Sequence, residues 1–303
     1  LFYYIVLDKS MDIKNLEILL VLDDERHFKR ASEKLNISQP ALSMKLKSLE
    51  NELGITLVKR GKNFIGLTSE GLILKTRFNN IVKEYSEIKQ LSSELKNSLT
   101  GTLRIGVIPT AQLEISNLIN SFVLKFKNVK TKIYSMPSNK IDEQLHDYKL
   151  DIGITYLENE PIMGVEKIPF YNEKYFLITP EKNLASKEFV KWSDCKDLDL
   201  CLLSEDNQFR RILNSVFKEK GVHPKVLLES NSLTQIFAQI NMSNLSTIMP
   251  FFFTQAFNYK KNTNFYELVD PKILHKIGLV FIKDNSPSPL KDNFIKFSKS
   301  FDK

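Results

Sequence analysis

Apolar residues recur at helical spacing from residue 13 onward, and the first stretch they organise runs to Leu53. Ile13, Leu16, Leu19, Leu20 and Leu22 share one face. Phe28, Ala31 and Leu35 form a second, short face, and Ala41, Leu42, Leu46, Leu49 and Leu53 a third. Asn36-Ile37-Ser38 separates the last two. Ser38 suits an N-cap and Pro40 the first turn, where a missing N–H costs nothing. So short an interval forbids antiparallel packing and predicts a steep crossing, a helix-turn-helix. Gly54 suits the position just past the helix end. The ITLVKRGKNFIGLT that follows reads as a small hairpin, or wing, turning at Gly61-Lys62-Asn63.

Thr68-Ser69-Glu70 then predicts a capped helix start with an acid in the first turn. Leu74, Phe78, Ile81, Tyr85 and Ile88 follow at alternating steps of four and three, a heptad seam that Leu91, Leu95 and Leu99 continue after a one-residue slip. A helix of about 30 residues with no domain of its own to pack against predicts that this stripe meets a second copy of the chain. After Thr100-Gly101 the period changes. Residues 103–108, 131–135 and 151–155 read as strands, separated by helical stretches at 114–126 and 140–148. A second series has strands at 175–179, 198–203, 226–229 and 245–249, with helices at 208–220 and 232–241. A strand at 277–283 and a helix at 289–301 close the chain. Strand–helix alternation predicts parallel crossovers, and two similar α/β halves leave a cleft in which strand ends bind small ligands.

Charge sharpens the picture because of where it sits. The chain of 303 residues carries a formal +7, yet nine lysines and arginines stand against three acids between Arg26 and Asn63. A basic patch confined to a helix-turn-helix suits a polyanion surface. Gln39, Ser43, Lys45 and Lys47 lie on the outer face of the second helix, and Lys59, Arg60 and Lys62 at the hairpin tip. Hydrogen-bonding and cationic groups of this kind can reach base edges and phosphates. At 42% the hydrophobic content is that of a globular protein, and no apolar run is long enough for a transmembrane helix. The opening LFYYIVL lacks a basic leader and a cleavage site, which argues against a signal peptide. Residues 1–10 read as an upstream extension of the gene model or a disordered tail, since the first clear helical pattern opens at Met11. Of the two cysteines, Cys201 lies in an apolar run and reads as a buried strand residue; neither a disulfide nor a zinc site is expected.

The stretch FKRASEKLNISQPALSMKLKSLENELGITLVKR, followed by LTSEG, resembles the DNA-binding region of LysR-type transcriptional regulators; TGTLRIGV and LDIGI are weaker matches further on. The resemblance covers essentially everything after Met11. It implies an α+β multidomain chain: a winged helix-turn-helix (residues 11–67), a linker and dimerisation helix (68–99), and an effector domain (100–303) like that of periplasmic binding proteins. The effector domain would have one subdomain of about 100–171 plus 274–303 and another of about 172–273. The family implies a cytoplasmic homodimer or homotetramer that binds double-stranded promoter DNA and a small-molecule effector, with no resident cofactor and no membrane. By resemblance Gln39, Pro40 and Ser43 are base-contacting and Arg30, Lys45, Lys59 and Arg60 contact the DNA backbone. Met44 departs from the usual Arg or Gln; it can touch a thymine methyl but cannot hydrogen-bond.

For the effector cleft, Thr110 and Ser138 follow the first two strands and Thr155 ends the third. Gln208 and Arg210 open the second-subdomain helix, and Ser230 and Asn231 follow the next strand. Hydroxyls, amides and helix N-termini suit a small anion, which an inward-pointing Arg210 would reinforce. The run INMSNLSTIMP (240–250) replaces a turn that is usually glycine-rich. Peroxide-sensing members carry a cysteine where this chain has Gln208, and Cys201 sits seven residues earlier, which argues against such a thiol switch. A transport protein of the periplasmic-binding type is the alternative suggested by the α/β pair alone; it expects a secretory signal and no DNA module. An enzyme is not expected: there is no G-x-G-x-x-G, P-loop, G-x-S-x-G or metal spacing, and the four histidines are scattered.

Overall fold

The computed structural model describes residues 11–61, 64–96, 98–180, 188–283 and 288–301, apart from the Arg60 side chain. The expectations for residues 1–10 and Lys62 therefore lie outside the described residues. The chain forms two compact units, one extending to Ser98 with His146–Lys149, the other made of Leu99–Leu145 and Leu150 onward.

In the first unit α1 (Ile13–Glu25), α2 (Phe28–Lys34) and α3 (Gln39–Leu53) pack around Leu16, Leu19, Leu22, Ala31, Leu42, Leu46 and Leu49. Each start is capped by a side chain. Asp12 accepts from Lys14 N at 3.0 Å, His27 Nδ1 from Lys29 N at 3.2 Å, and Ser38 Oγ from Ala41 N at 3.3 Å. Gly54, at φ 68°, ends α3 in the left-handed conformation. The wing pairs β1 (Val58–Arg60) antiparallel with β2 (Phe64–Leu67). Buried Glu50 on α3 holds the wing in place: its Oε1 accepts from Leu57 N at 2.9 Å and Val58 N at 3.2 Å.

Thr68 joins wing to α4 (Ser69–Glu94) by accepting from Gly71 N at 3.0 Å and donating to Thr56 O at 2.7 Å. The seam of α4 divides. Phe78 is buried in the helix-turn-helix core with Leu74 and Val82 packed against it. Beyond it Ile81, Tyr85, Ile88, Leu91 and Leu95 are exposed. The expectation that this helix lacks a domain to pack on is thus corrected for its first half, which lies against α1.

The second unit contains two sheets. In the first, β4 (Val129–Ser135), β3 (Gly101–Val107), β5 (Ile152–Tyr156), β13 (His275–Ile282) and β6 (Val165–Glu173) stand in that order. β3 is parallel to β4 and β5, but β13 runs antiparallel to both its neighbours, so the sheet is mixed rather than all-parallel. Helices α5 (Ser116–Lys125), α6 (Ser138–His146) and α10 (Pro289–Ser300) belong to this half, and Phe122 on α5 meets Phe294 of α10 at a centroid distance of 4.9 Å.

The second sheet orders β11 (Thr247–Pro250), β7 (Tyr175–Thr179), β12 (Asn264–Val269) and β8 (Phe189–Lys191). The parallel pair β9 (Asp199–Leu203) and β10 (Lys225–Ser230) joins it through Ser246, which exchanges backbone hydrogen bonds with Asp199 and Cys201. Helices α7 (Gln208–Glu219), α8 (Leu233–Met242) and α9 (Phe251–Ala256) complete this half. The chain crosses between the sheets twice, from β6 to β7 and from β12 to β13. Three strands, β6, β8 and β12, were not expected from the pattern. β6 contains Pro169, which cannot donate to a ladder; it is accommodated because β6 is an edge strand whose register shifts there. Among the described residues no helix is long and apolar enough to cross a membrane.

Candidate functional sites in the two units

Pattern and caps in the first unit put one polar face of α3 in water. Gln39, Pro40, Ser43, Met44 and Lys47 are exposed and Lys45 is half-buried. The side chains of Gln39, Ser43 and Lys47, one helical turn apart, make no hydrogen bond or ion pair among the described residues. That leaves their donors and acceptors for an external partner. The Ser38 hydroxyl is already engaged as the α3 cap. Arg30 is engaged too, donating to the Glu25 carbonyl and lying 3.7 Å from its carboxylate, which Lys34 also meets at 2.6 Å. Lys59 is exposed in the middle of β1, paired with Gly66 rather than at the very tip of the wing.

The other candidate site lies where the strands of the second unit end. Thr110, in the turn after β3, and Ser138, the first residue of α6, face Asn207, Gln208 and Phe209 at the start of α7. The space they enclose is only about 10 Å³, room for one water. Gln208 Nε2 donates across it to the Asn159 carbonyl, while Gln208 Oε1 is buried with no hydrogen-bond partner among the described residues. Arg211 reinforces that closure with a two-pronged pair to Glu160 at 2.7 and 2.5 Å, holding the Glu160 carboxyl below its ordinary range.

The other expected cleft residues are elsewhere. Thr155 is fully buried in β5 and does not line the space. Arg210 is a correction: instead of pointing into the cleft it is buried within its own subdomain. There Glu229 on β10 takes its guanidinium at 2.7 Å, Leu203 O at 2.9 Å and Asn214 Oδ1 at 2.8 Å. A charge-assisted pair with the carboxylate on β10, together with two neutral acceptors, holds the guanidinium there. Ser230 accepts from Ser232 N at 3.1 Å, a turn role, and Asn231 is exposed; neither lines the space. Sequence reasoning did not single out Asn159, Glu160 or Arg211, since a turn acid and a helix arginine carry no signal of their pairing.

Next to the cleft, the crossing strands hold a buried polar chain. Tyr156 donates to Glu173 Oε1 at 2.5 Å, and Tyr175 Oη lies 2.6 Å from His275 Nδ1. Burial, opposed by the Tyr156 hydrogen bond and helped by nearby Glu114, raises the Glu173 carboxyl to about 8; burial lowers His275. Folding therefore favours neutral Glu173, a contribution present at low pH and lost as pH climbs towards 8. In thermal melts from about pH 5 to about pH 9, the midpoint of Glu173→Gln should gain on the parent as pH rises. A constant difference between the two would show that Glu173 is charged throughout.

Both cysteines are buried and free, and burial pushes the thiols up to about 12 at Cys195 and about 11 at Cys201, so neither is a thiolate near neutrality. Among the described residues no group of three or more metal-ligating side chains is assembled.

Comparison with known proteins agrees with this arrangement. A model of the bacterial regulatory helix-turn-helix proteins of the lysR family matches residues 13–72, and one of the LysR substrate binding domain matches residues 96–302. A hydrogen peroxide-inducible genes activator of Haemophilus influenzae is 25% identical over 286 residues, covering 94% of each chain. Among solved structures, a full-length OxyR variant from Pseudomonas aeruginosa superposes with a TM-score of 0.74 at 22% identity, covering 95% of this chain and 96% of that one. CbnR complexed with its target DNA gives 0.69 at 19% identity, covering 95% and 99%; at such identity these two show the fold.

Proposed function

Because this chain belongs to the LysR family, as a DNA-binding transcriptional regulator with an effector-binding domain, we propose that its α3 face reads promoter DNA and its inter-subdomain cleft takes the effector. The observation that carries the first part is the row Gln39, Ser43 and Lys47, whose side chains are exposed and without partners among the described residues. Gln39 and Ser43 supply hydrogen bonds to base edges; Lys45, Lys47, Lys59, Arg60 and Lys62 supply phosphate contacts and salt-dependent affinity. CbnR, of the same fold, is known bound to target DNA, which supports this orientation of roles. The exposed second half of the α4 seam would pair two copies, giving a homodimer or tetramer that matches paired half-sites. Its place of work would be the cytoplasm, and it would catalyse no reaction.

For the cleft, α6 and α7 present their first residues, Ser138 and Gln208, to one space. Two helix N-termini facing a common point favour a small anion. Anything larger than water has to part the subdomains at Arg211–Glu160, so binding is coupled to their opening. Although several relatives are named as activators of hydrogen peroxide-inducible genes, Gln208 and two buried, poorly ionised thiols favour a ligand over thiol oxidation as the signal. Thermal unfolding of the full chain against a panel of small carboxylates and inorganic anions tests this, since a ligand bound only to the folded state raises the midpoint. A rise that disappears in Gln208→Ala is the expected result. A rise retained in both Gln208→Ala and Ser138→Ala moves the site out of the cleft.

A further inference from the structure

Thr110 also lines a second cavity in the same unit, of about 190 Å³, nearly twenty times roomier than the cleft. Its walls come from both halves: Tyr171 and Glu173 of β6, Glu114 from the segment before α5, and Phe176, Phe251 and Phe252 from the second sheet and α9. The rings form one apolar wall, with Phe176 and Phe251 5.2 Å apart and Phe251 and Phe252 5.8 Å apart and edge-on. Two carboxyl groups, of Glu114 and Glu173, line the cavity as well. Glu173 is 2% exposed; its Oε1 is held by Tyr156, but its Oε2 has no hydrogen-bond partner among the described residues. A buried oxygen without a partner is costly, and its cost is relieved by a donor that enters the cavity.

We propose that this cavity is a second ligand site, distinct from the anion cleft, and that it takes a small aromatic amine as its ammonium ion. The volume fits one ring with a short side chain, since a cavity of about 150 Å³ holds benzene. The ring packs on Phe176, Phe251 and Phe252, and the ammonium donates to Glu173 Oε2 with Glu114 close by. Aromatic faces also attract a cation directly. An anion of the same shape would gain at most one hydrogen bond, from the protonated Glu173 carboxyl, and would stand against the Glu114 carboxyl with no buried cation among the described lining residues to neutralise it; Lys174 on the wall is exposed, where water screens it. Because the walls belong to both subdomains, an occupied site braces the crossing strands β6 and β7.

Binding carries a proton signature. Among the described residues, the buried and half-buried groups facing Glu173 are Tyr156 on β5, Tyr171 on its own strand, Tyr175 on β7 and Glu114, with Lys174 exposed at the cavity wall; His275 on β13 touches Tyr175. None of the buried and half-buried groups is a cation near neutrality, and water screens Lys174, so the Glu173 carboxyl holds its proton until an ammonium arrives. The ammonium ion then displaces that proton to solvent: the O–H bond of the carboxyl breaks, water or buffer takes the proton, and the carboxylate pairs with the ligand.

Calorimetric titration of the full chain with 2-phenylethylamine tests this, with 3-phenylpropionate and ethylbenzene as anionic and neutral analogues. At about pH 7 the amine should bind at least about tenfold more tightly than either analogue and release close to one proton, read from buffers of different ionisation heat; above about pH 9 the release should vanish. Glu173→Gln should weaken the amine about tenfold and abolish the release. Phe251→Ala should weaken it while the release stays. Ser138→Ala, a cleft residue, should change nothing, which separates failure here from failure of the cleft assignment. Equal binding of 3-phenylpropionate or ethylbenzene, amine affinity untouched by Glu173→Gln, or no amine binding by the folded parent chain overturns the proposal.

Discussion

Gly71→Ala should destabilise the DNA-reading unit by about 3 kcal/mol, although glycine-to-alanine changes inside helices ordinarily stabilise by about 0.5–1 kcal/mol. The reversal comes from a close approach. A Cβ at Gly71 would stand 2.3 Å from the Leu57 carbonyl oxygen, 3.1 Å from its carbon and 3.3 Å from Leu67 Cβ. None of these atoms can retreat cheaply. The Leu57 N–H is held by buried Glu50, and its carbonyl accepts from Thr68 N at 2.9 Å. The strain therefore passes into both strands of the wing, and Lys59 moves with them. For a unit of this size about 3 kcal/mol lowers the melting midpoint by more than about 10 °C. Circular dichroism melts of the full chain, with DNA affinity measured alongside, check the prediction. An unchanged or higher midpoint would show that the wing yields without cost.

That same contact shows what a sequence can and cannot disclose. The start of α4 was legible from Thr68 as a cap and Glu70 as a first-turn acid, because capping is a local event. The need for glycine at position 71 was not, because it depends on Leu57 arriving from the wing. The winged helix-turn-helix and most strands of the second unit follow from period and punctuation, and the family membership agrees with that fold. Where neighbours decide, the reading fails. Pro169 hides β6 until the strand is seen to be an edge, and the direction of β13 is set by the chain's return from the second sheet.

The candidate cleft divides along the same line. Thr110, Ser138 and Gln208 sit at the ends of strands or starts of helices, positions fixed by topology, and stand on one small space. Arg210 is one helix position from the space-lining Phe209, yet its guanidinium belongs to Glu229 on another strand. Helical phase alone could not have told Arg210 from Arg211, of which only the second reaches across to the first subdomain at Glu160. Glu173 gives no signal in YNEKYF; its burial, and the cavity it borders, come from the crossing of two strands.

Gln39→Ala should weaken binding to a preferred operator by about 1–3 kcal/mol while leaving affinity for random duplex and thermal stability almost unchanged. The preferred operator comes from selection out of a randomised pool, and anisotropy titrations at several salt concentrations give the affinities. Stability is spared because the Gln39 side chain is exposed and bonds to none of the described residues, the situation in which surface changes stay within about 0.5 kcal/mol. Lys47→Ala supplies the contrast, since a phosphate contact is blind to sequence. It should weaken both duplexes alike and flatten the salt dependence by about one counterion. The two variants lie on one helix face, two turns apart, so a general disturbance of α3 would affect both in the same way. Only a division of labour along that face gives a specificity loss at one end and a salt-slope loss at the other. Equal losses on selected and random DNA for Gln39→Ala would remove it from base reading and leave α3 an electrostatic anchor.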